Sequence, residues 1–446
     1  MKATVYGGSN RRATLRVPGD KSISHRALLF GLISDGTSRI TGLSGAGDVA
    51  SSAAAIVQLG AKVVHERDCV IVAGVGGELC EPEQVIDVGN SGTLIRLISG
   101  ILAPSIGNNF YLTGDTSVVR RPMGRVIEPL SAMGAKITGR QANQFAPFAV
   151  QGQALSGITY AMSTPSAQVK SALLLAGMFA EGETVVIEPT ATRAHTEEMA
   201  IGYGADLQVS EEGASRVIRV RKSALISQDF EVAGDPSAAA FFVVLGLIGK
   251  APITVENVYL GPQRDGFVTA LIRMGGRIET VRQENGNFML TGYPSNLRGV
   301  DIGPGGVAGL IDEVPVLGVA AARAEGTTRF LGVEELRVKE SDRILTTLAM
   351  LSQFGVSCQE IPTGFEVLGN RGSSRPRRPR FVESNFDHRI AMAAAILGAV
   401  SKGETNISQF EAVSTSFPGF IDCLKDCGIK VRTGAKALVR RRRHAD

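Results

Sequence analysis

A short pattern recurs six times along the chain: an amphipathic helical stretch, a hydrophobic residue, a glycine and then a β-type run. The instances are QLGAKVV at Gly60, AMGAKIT at Gly134, GYGADLQV at Gly204, RMGGRIE at Gly275, QFGVSC at Gly355 and DCGIKV at Gly428. Their spacing of roughly 70 to 80 residues exceeds the period of solenoid repeats. A second element alternates with the first and consists of an almost wholly apolar helix, a turn and a strand. Its six copies are ALLFGLISDGTSRI, LISGILAPSIGNNFYL, ALLLAGMFAEGETVVI, FFVVLGLIGKAPITV, LGVAAARAEGTTRF and AAAILGAVSKGETNI. The glycine after each of these helices can supply a left-handed cap, and the β-branched residues that follow resume a strand.

The two helix types predict an architecture. Stretches such as SDRILTTLAMLSQFG mix apolar and polar residues at helical spacing and expose one face, whereas AMAAAILGAV is apolar almost all round and belongs inside. Buried helices with sheets and solvent-facing helices around them make an inside-out α/β domain. A chain of 446 residues exceeds what one core usually serves. Three repeats precede the segment VAGDPSAAAFF and three follow it. The expected division is therefore residues 19–231 as one domain and residues 1–18 with 232–446 as the other. The strand ATLRVPG precedes the first repeat and is expected to pair with the second half.

Hydrophobic residues at 44% and charged residues at 20% fit a globular enzyme rather than a disordered or fibrous chain. The 53 glycines, with no tryptophan, suggest tight turns and close backbone approach to a ligand. Five scattered cysteines without C-x-x-C spacing read as reduced thiols. The N-terminus has no apolar h-region, and no apolar run reaches the length of a membrane span, so a cytoplasmic location is expected. A net charge of +4 announces neither a nucleic-acid nor a membrane partner. The basic clusters Arg375–Arg380 and Arg440–Arg443 read as solvated loop and tail.

The chemistry-bearing segments lie at helix starts. Pro18-Gly19-Asp20-Lys21-Ser22-Ile23-Ser24-His25-Arg26 runs from a strand end into an apolar helix, which makes an anion site or a set of capping residues; it lacks Walker A spacing. Gly89-Asn90-Ser91-Gly92-Thr93 precedes LIRLISGILA, where exposed N–H groups suit a phosphate or a simple N-cap. Arg120-Arg121-Pro122-Met123 offers guanidinium forks for phosphate or carboxylate, and Ser166 and Gln168 offer hydroxyl and amide partners for a polyol. In the second half, Asp312 and Glu313 stand in an otherwise apolar stretch, where charge is costly unless paired or catalytic. Arg337-Val338-Lys339-Glu340-Ser341-Asp342-Arg343 is dense in charges of both signs, and Phe386-Asp387-His388-Arg389 leads into a buried helix.

In this order, PGDKSISHRALL, GNSGT, RRPM, SAQVKSALLLAG, RVKESDRI and FDHRIAMA closely resemble the 5-enolpyruvylshikimate-3-phosphate synthase family, in its more divergent bacterial branch. The resemblance runs nearly end to end. It implies two similar domains of three repeats, with the active site in the cleft between them. It further implies that Lys21, Ser22, Arg26, Ser166, Gln168, Asp312 and Lys339 bind shikimate-3-phosphate. Phosphoenolpyruvate would take Lys21, Gly92, Arg121, Gln168, Arg343 and Arg389. Lys21, Asp312 and Glu340 are implied to be catalytic, with Asp312 the base near the 5-hydroxyl and Glu340 the proton shuttle at the methylene carbon. Two positions depart from the family pattern: Ala167 stands where others have serine, and Ser414-Thr415-Ser416-Phe417-Pro418 lacks a lysine that some members carry before Phe-Pro.

The implied chemistry is charge neutralisation, positioning and proton transfer, for which no metal or organic cofactor is needed. The expected partners are the two small-molecule substrates, with no nucleic acid and no membrane, and the expected state is a monomer. Two alternatives compete. The sister transferase acting on UDP-N-acetylglucosamine typically presents a cysteine on a mobile loop, which RRPM lacks. A nucleic-acid-binding protein would use the basic tail, but Asp312, Glu313 and Glu340 would interrupt a phosphate-tracking groove.

Overall fold

All six repeat glycines take a positive φ: Gly60 and Gly134 at 106°, Gly204 at 86°, Gly275 at 87°, Gly355 at 71° and Gly428 at 82°. Each sits just past a half-exposed helix, and the next residue's N–H reaches back five residues, as in Ala61 N–H to the Ile56 carbonyl and Ala135 N–H to the Leu130 carbonyl. This is the Schellman cap, whose left-handed residue a side chain would strain. In the second element, Gly36, Gly107, Gly182, Gly326 and Gly403 are left-handed as well. Gly249 is not among the positive-φ residues. There the buried Asn10 takes over, because its Oδ1 accepts from the N–H groups of Lys250 at 2.6 Å and Ala251 at 3.2 Å.

The protein, seen here as a computed structural model, is described over residues 1–303, 307, 309–370 and 380–434. Both basic clusters, Arg380 apart, lie outside the described residues. Contacts divide the chain into two units. One comprises Pro18–Pro236 with Asn257–Asp265, and the other Met1–Val17, Ser237–Glu256 and Gly266–Asp446. None of the helices among the described residues is long and apolar enough to cross a membrane.

The architecture is mixed α/β, with six four-stranded sheets among the described residues. In every sheet one edge strand pairs parallel with its neighbour, and the opposite edge is antiparallel. Two parallel edges come from far along the chain. Phe230–Glu231 lies beside Thr37–Thr41, and Ala13–Arg16 lies beside Ile253–Val258, so the strand from ATLRVPG does pair with the second half. The N-terminal strand Lys2–Tyr6 is sandwiched between Glu404–Ser408 and Lys430–Gly434.

Helix burial follows the sequence pattern. In Lys21–Ile33 every residue from Ile23 onward is buried, and Val314–Ala322 is buried throughout. Gly47–Gln58 instead buries only Asp48, Val49, Ser52, Ala55 and Ile56, a single stripe. The apolar helices pack backbone to backbone. A Cβ on Gly100 would stand 2.1 Å from the Ala172 carbonyl oxygen, so Gly92–Leu102 and Ala167–Gly177 touch with no side chain between them. Polar side chains cap four of the buried helices, Asp20, Ser91, Ser166 and Asp387, and the candidate site residues cluster at those N-terminal ends.

Candidate active site

In the unit containing Pro18–Pro236, Asp20 caps the helix Lys21–Ile33 by accepting from the Ile23 N–H at 2.8 Å. Arg264, itself buried, donates to Asp20 at 2.5 Å and to Asp235 at 3.0 Å, and Asp235 also accepts from the Lys21 N–H at 3.3 Å. The helix start is thus tied down on two sides. Lys21 Nζ pairs with Asp48 at 3.0 Å, which directs the side chain. The Ser22 carbonyl accepts from Arg26 Nη1 at 2.9 Å. Arg26 is only 3% exposed, and burial lowers its pKa to about 10, with Glu197 the foremost group opposing that shift. His25 bridges two more helices through Ser52 at 2.6 Å and Ser91 at 3.4 Å. Burial holds its pKa near 3, so the imidazole is neutral.

Arg96 gathers the second group. Its Nη1 donates to Gln168 Oε1 at 2.7 Å and to the Gly92 carbonyl at 3.1 Å, while Nη2 donates to the Pro122 carbonyl at 3.4 Å. Gln168 Nε2 in turn donates to Thr93 Oγ1 at 3.0 Å. One buried guanidinium therefore fixes the start of Gly92–Leu102, the amide of Gln168 and the loop carrying Arg121. Arg121 reaches the same place, because a Cβ on Gly92 would lie 2.6 Å from its Nη1. Arg121 Nη2 also donates to Ser117 Oγ at 3.1 Å. Ser166 caps Ala167–Gly177, accepting from the Val169 N–H at 3.4 Å. Gly92, Arg121 and Gln168 are brought together, and Lys21, Ser22 and Arg26 share a single helix end.

The other unit holds a second cluster around Arg343, which is 1% exposed. Its Nε donates to Asp387 at 2.8 Å, its Nη1 to Asp312 at 3.2 Å, and its Nη2 to Glu340. Burial works against its charge, yet Asp387, Glu340 and Asp312 together outweigh it and push the pKa above the usual arginine value. Arg389 Nη1 donates to the Asp312 carbonyl at 2.9 Å and stands 3.9 Å from Glu313. Asp387 caps His388–Val400, accepting from the Arg389 N–H at 2.9 Å and from Ser341 Oγ at 3.0 Å. Lys339 lies apart from this network, paired with Glu335 at 3.2 Å. Arg343 is thus a buried hub for three carboxylates.

The sequence assigns no role to Arg96 or Arg264, and it marks Asp387 only as part of the Asp-His-Arg run at the start of a buried helix, which Asp387 does cap. A single arginine in LIRLISGILA was the signal for the first, since an unpaired charge in an apolar helix is costly.

A family model described as EPSP synthase (3-phosphoshikimate 1-carboxyvinyltransferase) matches residues 5–424. A 3-phosphoshikimate 1-carboxyvinyltransferase of Synechococcus sp. strain WH7803 is 43% identical over 94% of this chain and 97% of that protein. A solved EPSP synthase from Acinetobacter baumannii superposes with TM-score 0.84 at 36% identity, covering 97% of this chain and all of that one. The enolpyruvyl transferase NikO from Streptomyces tendae shares the fold, with TM-score 0.75 at 18% identity over 97% of this chain and 99% of that one.

Proposed function

The chain belongs to the EPSP synthase family, and from that premise we propose that it moves the enolpyruvyl group of phosphoenolpyruvate to the 5-hydroxyl of shikimate-3-phosphate. Inorganic phosphate is released, and the product feeds chorismate and aromatic amino acid biosynthesis. The observation that carries the assignment of roles is that Arg343 holds both Asp312 and Glu340, so an acid and a base hang from one guanidinium.

The physical problem is bringing two polyanions together. Lys21, Ser22, Arg26, Ser166, Gln168 and Lys339 receive the phosphorylated alcohol. Lys21, Gly92, Arg121, Gln168, Arg343 and Arg389 receive phosphoenolpyruvate, its phosphate answered by guanidinium forks and by N–H groups at the start of Gly92–Leu102. Both sets act in one reaction. Asp312 accepts the proton of the 5-hydroxyl as its oxygen bonds to C2, and Glu340 gives a proton to C3. The tetrahedral adduct then breaks its C2–O bond to phosphate, which leaves with the proton that Asp312 took up, while C3 returns its proton to Glu340. Atoms and charges balance without a further reactant.

We read the enzyme as a cytoplasmic monomer acting on small molecules, without nucleic-acid or membrane partners; sedimentation equilibrium checks the monomer. Phosphate release from phosphoenolpyruvate tests the main reading. The expected result is release only when shikimate-3-phosphate is present. Release dependent on UDP-N-acetylglucosamine would move the assignment to the sister reaction. No release with either, but salt-steep binding of DNA or RNA, would replace catalysis by nucleic-acid binding.

A further inference from the structure

Lys170 is fully buried in the helix Ala167–Gly177, where it is the one charged residue, and no step of the proposed reaction uses it. Its Nζ lies 3.0 Å from Glu188 Oε2 and 2.7 Å from Glu197 Oε1. Glu188 ends the strand Glu183–Glu188 and accepts from Thr192 Oγ1 with its other oxygen. Glu197 stands in the first turn of His195–Gly202, with Arg216 Nη2 at 3.6 Å. One ammonium therefore ties a helix, a strand with its following loop, and a second helix. Such a buried ion pair is a poor device for stability, because well-packed apolar residues of similar volume often do as well or better. Its presence asks for a positional reason.

The residue next to each end of the tie supplies one. Ser171 follows Lys170 and Thr196 precedes Glu197. Arg26 Nη2 donates to Ser171 Oγ at 2.7 Å, and Arg26 Nε donates to Thr196 Oγ1 at 2.7 Å. The two hydroxyls are 2.6 Å apart, and Ser171 Oγ donates on to the Ala167 carbonyl at 2.6 Å. A consistent proton order runs from Thr196 to Ser171 to that carbonyl, leaving both oxygens to accept from the guanidinium. If the two helices shifted apart, Arg26 would lose one acceptor or the other.

We propose that Lys170 is a positioning residue: by clamping Glu197 to the helix that carries Ser171, it fixes the guanidinium of Arg26 for the phosphorylated alcohol. The inference rests on the proposed reaction. Burial and the charge of Glu197 act on Arg26 in opposite senses, so the clamp also keeps a counter-charge near it.

The test compares Lys170→Met with Lys170→Met/Glu188→Gln; the double variant removes one positive and one negative charge and leaves Glu197 facing Arg216 at 3.6 Å. The expected result in a folded variant is a KM for shikimate-3-phosphate raised roughly tenfold, about the loss of one charge-assisted hydrogen bond, with the KM for phosphoenolpyruvate held within about twofold. Ser171→Ala should raise the same KM, and adding it to the Lys170 variant should bring little more, since both act through one contact. A folded Lys170 variant with an unaltered KM for shikimate-3-phosphate, or one in which both KM values rise alike, overturns the proposal. If neither Lys170 variant folds, Ser171→Ala and Thr196→Val decide it, and wild-type KM values in both reject it. Wild-type protein that releases no phosphate would instead reject the underlying reaction.

Discussion

A methyl group on Gly92 would lie 2.6 Å from Nη1 of Arg121 and 3.3 Å from Nη1 of Arg96. Gly92→Ala should therefore displace Arg121 and raise the KM for phosphoenolpyruvate by roughly tenfold, while that for shikimate-3-phosphate stays within about twofold. Steady-state kinetics with each substrate varied in turn checks this. Arg96→Leu should do more, because it leaves the Gly92 and Pro122 carbonyls and Gln168 Oε1 without this donor. A loss of about 2 to 4 kcal/mol by urea denaturation is expected, with catalytic efficiency falling alongside. His25 carries a pH prediction. Its folded pKa, held near 3 by burial, lies below the unfolded value of 6.5, so the unfolded chain binds the extra proton between those limits. Its contribution to stability is complete above pH 6.5 and is lost at up to ~1.4 kcal/mol per unit as the pH falls towards 3. His25→Gln should flatten that part of the curve of unfolding free energy against pH.

At the scale of elements, the contact between Gly92–Leu102 and Ala167–Gly177 leaves no room at Gly100. Gly100→Ala should cost about 3 kcal/mol, at the upper end for overpacking, and should weaken the bond between Gln168 and Thr93 that spans the two helices. Gly182→Ala meets nothing within 4 Å and strains only its left-handed backbone, so its cost should stay near 1 kcal/mol. Thermal melts of the two variants separate packing from conformation. The same distinction explains what could be read from sequence. The caps were legible because a left-handed turn demands glycine locally, wherever the chain goes next. Gly249 escaped that logic because its turn is satisfied by Asn10, some 240 residues away in sequence. Arg96 and Lys170 were present as single charges in apolar helices, but their partners Gln168, Glu188 and Glu197 come from other elements that only packing brings near.

For the molecule as a whole, the count of repeats was legible and the closing of the sheets was less so. Strand pattern alone did not reveal that Phe230–Glu231 would complete the sheet of Thr37–Thr41, or that Lys2–Tyr6 would lie between strands near the C-terminal end, since such pairings depend on long-range register. The site residues were read mostly through family resemblance. For Arg343, which the resemblance implies for phosphoenolpyruvate, geometry adds three carboxylate partners, Asp312, Glu340 and Asp387, that no sequence pattern reveals. The central claim is that one set of groups in each unit serves a single reaction. Turnover of Arg121→Ala and Asp312→Ala at saturating substrates, in proteins shown to melt as the wild type does, tests it most directly. A fall of at least ~100-fold in both is the predicted result; a wild-type rate in either would contradict it.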